Sequence, residues 1–277
     1  MEMINQLLSK GVSEIRAYVV GIENNLYNIE EGFLEHLIET FLNDSRKGVQ
    51  SLGKRLEKQR NDLNKEIVRV QNLYDFDKSF GDYKVVAGVD EVGRGPLAGP
   101  IVAAAVIMDL NYASAKDLIL RVNDSKKIKE ELRKELAEII KKNAISYSIA
   151  VKSNEEIDDK GIAYCNHMVF LEAIEGLNRD CDLVLSDGYK AKYYNGNNEA
   201  VIKGDTKSFN IACASIIAKV YRDELMKEYS KKYPDYGFEK NVGYGTEVHI
   251  KSIKEHGVTP IHRKSFLSSI MDSNIIR

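Results

Sequence analysis

Four acidic residues stand out for where they fall in the chain. Asp90-Glu91 closes a short β-rich run. Asp187 follows Leu183–Ser186 and precedes Gly188, and Asp205 follows Gly204 after the run Ala200–Lys203. Three stretches that read as strands therefore finish in a carboxylate near a glycine. In open α/β sheets, sites gather at the carboxyl ends of strands, and parallel neighbours would bring such acids together. Clustered carboxylates repel one another, so a proton or a cation must offset their charge. Oxygen donors without His or Cys partners favour Mg²⁺ or Mn²⁺, and none of the five histidines sits in a zinc-binding spacing. Two such ions ~4 Å apart can hold the attacking water and the leaving oxygen of a phosphodiester. Singly, each Asp-Gly or Gly-Asp is also ordinary turn chemistry; the combination with Asp90-Glu91 is what points to a site. Adjacent strand residues face opposite ways. Asp90 and Glu91 therefore share a site only if the strand bends there or if one contributes differently, and the turn Gly93-Arg94-Gly95-Pro96 offers a place for the bend.

That turn belongs to a patterned stretch, Gly88–Pro100, rich in glycines that let backbone approach a ligand closely. No Gly-Lys-Ser/Thr follows, which excludes a Walker loop, and no helical pattern follows, which excludes a dinucleotide fingerprint. A tight strand–strand connection is the alternative for a lone Gly-Arg-Gly.

The elements that must position these residues can be read from periodicity. Lys84–Val89, Ile101–Ile107, Ser146–Lys152, Leu183–Ser186 and Ala200–Lys203 read as strands. Ile101–Ile107 lacks polar alternation, as expected of a strand buried on both faces. Lys129–Lys142, Ile162–Leu177, Ser208–Lys231 and Thr246–Glu255 read as helices. Strands first, then strands alternating with helices, indicate an α/β sheet layered by helices.

Residues 1–80 have a different texture. Leu34, Ile38 and Phe41/Leu42 recur at helical spacing, and Val49, Leu52, Leu56, Leu63, Ile67, Val70 and Leu73/Tyr74 form one stripe on a long helix. Residues 75–83 read as a linker. Residues 1–45 carry a net charge of -6 (two basic, eight acidic), whereas 46–69 carry +5 (eight basic, three acidic). Most charge runs are solvated helix faces; the sharper reading is a helix that touches a phosphate backbone. The division expected is a helical N-terminal extension over 1–80, with a possible role in substrate binding, and a catalytic domain over 81–277.

Across its 277 residues the chain has a net charge of -2. A dedicated non-specific DNA coater would be strongly basic, so any nucleic-acid contact must come from local patches and metal ions. The cysteines Cys165, Cys181 and Cys213 are scattered and odd in number, which argues against a disulfide framework or a zinc knuckle and fits a reducing cytoplasm. They read as small buried hydrophobes. There is no basic start to a signal peptide, and the longest apolar run is far short of the ~20 residues that span a bilayer. A cytoplasmic monomer without membrane contact is expected.

The stretch Val89–Ala105 resembles the defining motif of the ribonuclease HII family. Asn123–Lys127, Ser186–Gly188, Lys203–Asp205, Ile211–Asp223, Gly243–Thr246 and His262–Phe266 match in order and spacing, so the resemblance covers roughly residues 84–266. The N-terminal extension is similar to that of low-GC Gram-positive members. The resemblance implies a ribonuclease H-like mixed sheet flanked by helices, with Asp90, Glu91, Asp187 and Asp205 as the active-site carboxylates holding Mn²⁺ or Mg²⁺. It implies that Gly93, Arg94 and Gly95 read a ribonucleotide 2′-OH, the group that tells RNA from DNA, and that Tyr244 stacks on the neighbouring deoxyribose. The substrates implied are RNA–DNA hybrid and ribonucleotide-containing duplex DNA, cut 5′ of the ribonucleotide to leave a 3′-OH and a 5′-phosphate. Lys126 and Arg222 are candidate phosphate contacts, with an ion pair to Asp223 or Glu224 as the alternative for Arg222. His262 and Arg263 read as structural. Ser186 and Tyr189 depart from the family pattern, which often has an apolar residue and an Asn there. The sister family, ribonuclease HIII, is less similar, with Gly-Lys-Gly and a glutamate as fourth acid where this chain has Arg94 and Asp205. Two rivals differ in class. A hybrid-binding module without catalysis would not need four acids, and a junction resolvase would not need Gly93-Arg94-Gly95.

Overall fold

The computed structural model describes residues 2–268. The chain forms two compact units. The first comprises residues up to Gln71 together with Tyr112–Leu120; the second comprises Asn72–Asn111 and the chain from Arg121 onward.

The first unit is helical: α1 (Glu2–Leu8), α2 (Val12–Asn24), α3 (Glu31–Leu42) and most of α4 (Lys47–Lys78). Its core gathers Ile15, Val19, Leu37, Phe41, Val49, Leu52 and Leu56. The last three belong to the apolar stripe expected for the long helix. Asp44 lies just ahead of α4. Its carboxylate accepts from the Arg46 backbone at 2.8 Å and from the guanidinium at 2.7 Å, and that partner holds it down at about 2.

α4 does not stop where the sequence reads as a linker; it continues through Lys78. Tertiary contacts override the polar composition there. Tyr74 stacks on Phe209 with ring centroids 3.8 Å apart. The Asp77 carboxylate accepts the backbone N–H of Asn210 at 2.8 Å and its side-chain amide at 3.1 Å. Burial pushes Asp77 up to about 7.

The second unit is a five-stranded mixed sheet with helices on both faces. In chain order come β1 (Val86–Val92), β2 (Ile101–Ile107), α5 (Glu130–Asn143), β3 (Ser146–Lys152), α6 (Asn154–Lys160), α7 (Ile162–Glu175), β4 (Leu183–Asp187), β5 (Asn198–Val201), α8 (Phe209–Lys232), α9 (Phe238–Asn241), α10 (Glu247–His256) and α11 (Lys264–Leu267). The sheet order is β3-β2-β1-β4-β5. β1 pairs parallel with β4, and β4 parallel with β5, whereas β2 runs antiparallel to both β1 and β3. β2 is buried along its whole length, as its unbroken apolar run requires.

Strand alternation sorts the side chains between two layers. Ala87 and Val89 of β1 and Ala103 and Ala105 of β2 pack with Cys165, Val169 and Phe170 of α7. Val86, Leu183 and Leu185 lie on the other face, with Ile211 of α8. α8 presses so close to β1 that a Cβ on Gly88 would come within 2.2 Å of the Asn210 carbonyl carbon. Only a residue without a side chain permits that approach. A further core, with Leu97, Met226, Tyr236, Phe238, Ile253 and Ile261, seats the loop after β1 against the C-terminal helices. All three cysteines are free thiols; Cys165 and Cys213 are buried, and Cys181 is only half-buried. Among the described residues no helix is long and apolar enough to cross a membrane.

Candidate active site

Register brings the first two acids together. Val89 pairs with Ser186 across the parallel β1–β4 ladder, so Asp90 and Asp187 occupy the next position on neighbouring strands, on the α8 face. Asp90 is buried and accepts from the Glu91 N–H at 2.7 Å and from the Ser215 hydroxyl. Ser215 in turn shares a hydrogen bond with Ser125 at 2.9 Å. Burial, then the charges of Glu91 and Asp187, push the Asp90 carboxyl well above the usual range.

Asp187 accepts the backbone N–H of Gly204 at 2.6 Å. The preceding Lys203 is left-handed (φ 57°), and a Cβ on Gly204 would meet the Ile211 side chain at 2.6 Å. This turn delivers Asp205, which lies in a 3-10 turn, Gly204–Thr206, four residues beyond the end of β5 rather than at the strand end itself. Burial, then Asp187 and Asp124, push Asp205 up, with Lys126 and Lys127 acting in the other direction.

Glu91 is placed differently. The β1–β2 ladder continues without a break through Asp90↔Ala104 and Glu91↔Ala103. The bend the sequence invites at this point is therefore absent, and Glu91 points to the α7 face. Tyr189 meets it there: its hydroxyl hydrogen-bonds the Glu91 carboxylate. Burial raises Glu91 to about 7 despite that bond and the nearby Arg94. The Tyr189 ring stacks on Phe170 at 5.2 Å, lies 5.7 Å from the Arg94 guanidinium, and its hydroxyl also takes a hydrogen bond from Asn166. The sequence marks Tyr189 only as a departure from a pattern. Its place two residues after Asp187 is the one signal that could have drawn it into the site, along with Ser215 on the buried face of α8.

Asp90, Glu91, Asp187 and Asp205 thus form a chain of electrostatically coupled neighbours. As they stand, no three His, Cys, Asp or Glu side chains among the described residues converge closely enough to enclose an ion. The donor set is oxygen only, and burial and mutual repulsion penalise the charged forms of Asp90, Glu91 and Asp205, which suits a hard divalent cation rather than zinc.

The glycine turn is held from behind by two arginines, neither of them exposed. Arg263 donates to the carbonyls of Gly99, Arg94 and Gly93 at 2.9, 3.0 and 2.6 Å. Arg222 donates to Pro100, Val242 and Ala98 at 2.9, 2.8 and 3.2 Å. Fully buried, Arg222 is therefore not available as a phosphate contact, nor does it form a salt bridge with its helix neighbours; each of its three nitrogens donates to a backbone carbonyl inside the protein. Arg263 has the structural role expected of it. His262 accepts from Thr259 and lies 3.0 Å from His249, inside the same support. Arg94 and Gly95 are exposed residues, and their backbone N–H groups donate to no acceptor among the described residues. Gly93 has φ 90°, and a Cβ there would strike Arg222 at 2.2 Å. Tyr244 is 40% exposed and flanks the turn: its ring would lie 3.9 Å from a Cβ on Gly95. Lys126 is exposed, and its charge acts on Asp205.

Comparisons with known proteins agree along the chain. The sequence model of the family described as Ribonuclease HII matches residues 87–269, and that of the Ribonuclease HII N-terminal domain matches residues 19–81. A ribonuclease HII of Clostridium perfringens (strain SM101 / Type A) is 59% identical over 270 residues, covering 98% of this chain and 97% of the relative. One from Clostridium botulinum (strain Hall) is 49% identical over 268 residues, covering 97% and 99%. Among solved structures, the ribonuclease H2 from Pyrococcus horikoshii OT3 superposes with a TM-score of 0.59 at 26% identity, over 67% of this chain and 96% of that one. The chain in the PCNA:RNase HII complex from Archaeoglobus fulgidus gives 0.55 at 25% identity, over 69% and 98%.

Proposed function

Because the chain belongs to the ribonuclease HII family, we propose that its hydrolysis of the RNA strand is carried by Asp90, Glu91, Asp187 and Asp205. The protein is an endoribonuclease acting on RNA–DNA hybrids and on ribonucleotides within duplex DNA. The observation that supports the site is the adjacent register of Asp90 and Asp187, with Asp205 tied to Asp187 through the Gly204 amide.

Asp90 and Asp187 present oxygens on one face of the strand end, Asp205 supplies a third carboxylate from the turn, and Glu91 contributes from the opposite face. These carboxylate oxygens would hold Mg²⁺ or Mn²⁺, which would supply a water of lowered pKa and positive charge near the phosphate. The unpaired amides of Arg94 and Gly95 donate to the 2′-OH and its adjoining phosphate, Tyr244 offers its ring to the next sugar, and Lys126 meets a phosphate. Mapping products from a duplex with one embedded ribonucleotide, in Mg²⁺ and in Mn²⁺, tests this reading. A cut 5′ of the ribonucleotide, leaving a 3′-OH and a 5′-phosphate, is expected. Cleavage of an all-DNA duplex at the same rate would rule it out.

Tyr189 is a positioning residue for Glu91. Replacing it with phenylalanine keeps the stack on Phe170 and removes the hydroxyl. A hydrogen bond to a charged group contributes ~1.5–3 kcal/mol, so kcat of Tyr189→Phe should fall about tenfold or more, with KM little changed. A wild-type kcat would remove Tyr189 from the machinery.

A further inference from the structure

The +5 segment on α4 separates into two kinds of charge. Its arginines are engaged with carboxylates: Arg46 with Asp44 at 2.7 Å, Arg55 with Glu23 at 2.5 Å, Arg60 with Glu31 and Glu35 at 3.9 Å, and Arg69 with Glu66 at 2.8 Å. Its four lysines, Lys47, Lys54, Lys58 and Lys65, are exposed and pair with no carboxylate among the described residues.

Their spacing is seven, four and seven residues. At about 100° per residue these positions fall within ~20° of a single line along the helix. The buried Val49, Leu52, Leu56 and Val70 lie on the opposite side, and no Asp or Glu falls within ~40° of the lysine line. The row is ~27 Å long at 1.5 Å per residue, about eight nucleotide steps of one strand at ~3.4 Å each. The pattern is not what a solvated amphipathic face requires, because such a face commonly mixes both signs. Four collinear, unpaired ammonium groups on a chain of net charge -2 are suited to a linear polyanion.

We propose that this lysine row on the N-terminal unit binds the phosphate backbone of duplex nucleic acid, giving the enzyme a sequence-independent hold on its substrate. The proposal rests on the ribonuclease reading for the identity of the polyanion.

The test uses the full chain with all four lysines changed to alanine, a strong helix former at exposed positions. Binding to a duplex with one embedded ribonucleotide is followed by fluorescence anisotropy in EDTA across a salt series, with thermal melting as the check of folding. Each lost phosphate contact should reduce the slope of log K against log[salt] by ~0.9, so a fall of ~2–4 is expected, with Kd at low salt weakened at least about tenfold. The four Lys→Arg changes should restore both. An unchanged slope and Kd in the alanine variant overturns the proposal. So does unchanged duplex binding with lost attachment to vesicles containing anionic phospholipid, which would reassign the row to membranes. Failure of the wild-type chain to cleave the duplex would instead strike the ribonuclease reading, independently of the slopes.

Discussion

Changing Asp90 to asparagine is expected to abolish cleavage of a ribonucleotide-containing duplex while leaving the protein folded and at least as stable. Asp90 is buried, faces the charges of Glu91 and Asp187, and is hydrogen-bonded by Ser215 and by the Glu91 amide. Asparagine fills the same volume and keeps an oxygen for those donors, yet removes one of the crowded negative charges. Losing a charged oxygen ligand forfeits several kcal/mol of transition-state stabilisation, and at ~1.4 kcal/mol per decade the rate should drop ~10³-fold or more. Relief of like-charge repulsion should hold or raise Tm, the opposite of what a structural aspartate would give. Single-turnover cleavage and calorimetry on the same variant check both halves. Near wild-type cleavage would remove Asp90 from the catalytic set, and a collapse of Tm would make it a fold residue.

The second large effect is expected at Arg263. Replacement by methionine keeps bulk but orphans the carbonyls of Gly93, Arg94 and Gly99, which Arg263 holds from inside. An unsatisfied buried acceptor costs ~1–3 kcal/mol, so urea melts should show a loss of roughly 3 kcal/mol or more. The freed turn would no longer present the Arg94 and Gly95 amides in one place. Since a misplacement of about 1 Å can cost ~10²-fold in rate, kcat/KM should fall by about that factor at a temperature where the variant is still folded. Lysine cannot reproduce the forked donor geometry, so Arg263→Lys should rescue stability only in part. If stability falls but kcat/KM does not, the arginine supports the fold without setting the loop.

Much of this was legible in the residues because the relevant physics is local. Ile101–Ile107 reads as a doubly buried strand and is one. The helices expected over Lys129–Lys142 and Ser208–Lys231 lie within a residue of their observed bounds, because apolar periodicity and end signals both act within a few positions. What stayed hidden depends on contacts between distant residues. α4 runs four residues into the stretch read as a linker because Asn210 and Phe209 receive its last turns. The same blindness left Arg222 as a candidate for a phosphate contact or a helix ion pair, since nothing near it in sequence announces that Ala98, Pro100 and Val242 turn their carbonyls toward it. The lysine row shows an intermediate case. The excess of positive charge is visible in composition, but only the ion pairs of the structure show which half of it is free.

The unbroken β1–β2 ladder at Asp90 and Glu91 has a consequence for how this enzyme tolerates change. The two acids sit back to back, so each answers to a different layer: Asp90 to α8 through Ser215, Glu91 to α7 through Tyr189 and Phe170. A volume change in either helix layer reaches one carboxylate and spares the other. If the two acids act as proposed, substitutions deep in the α7 core should retune hydrolysis one oxygen at a time, and restoring the balance should require a matching adjustment on the far side of the sheet.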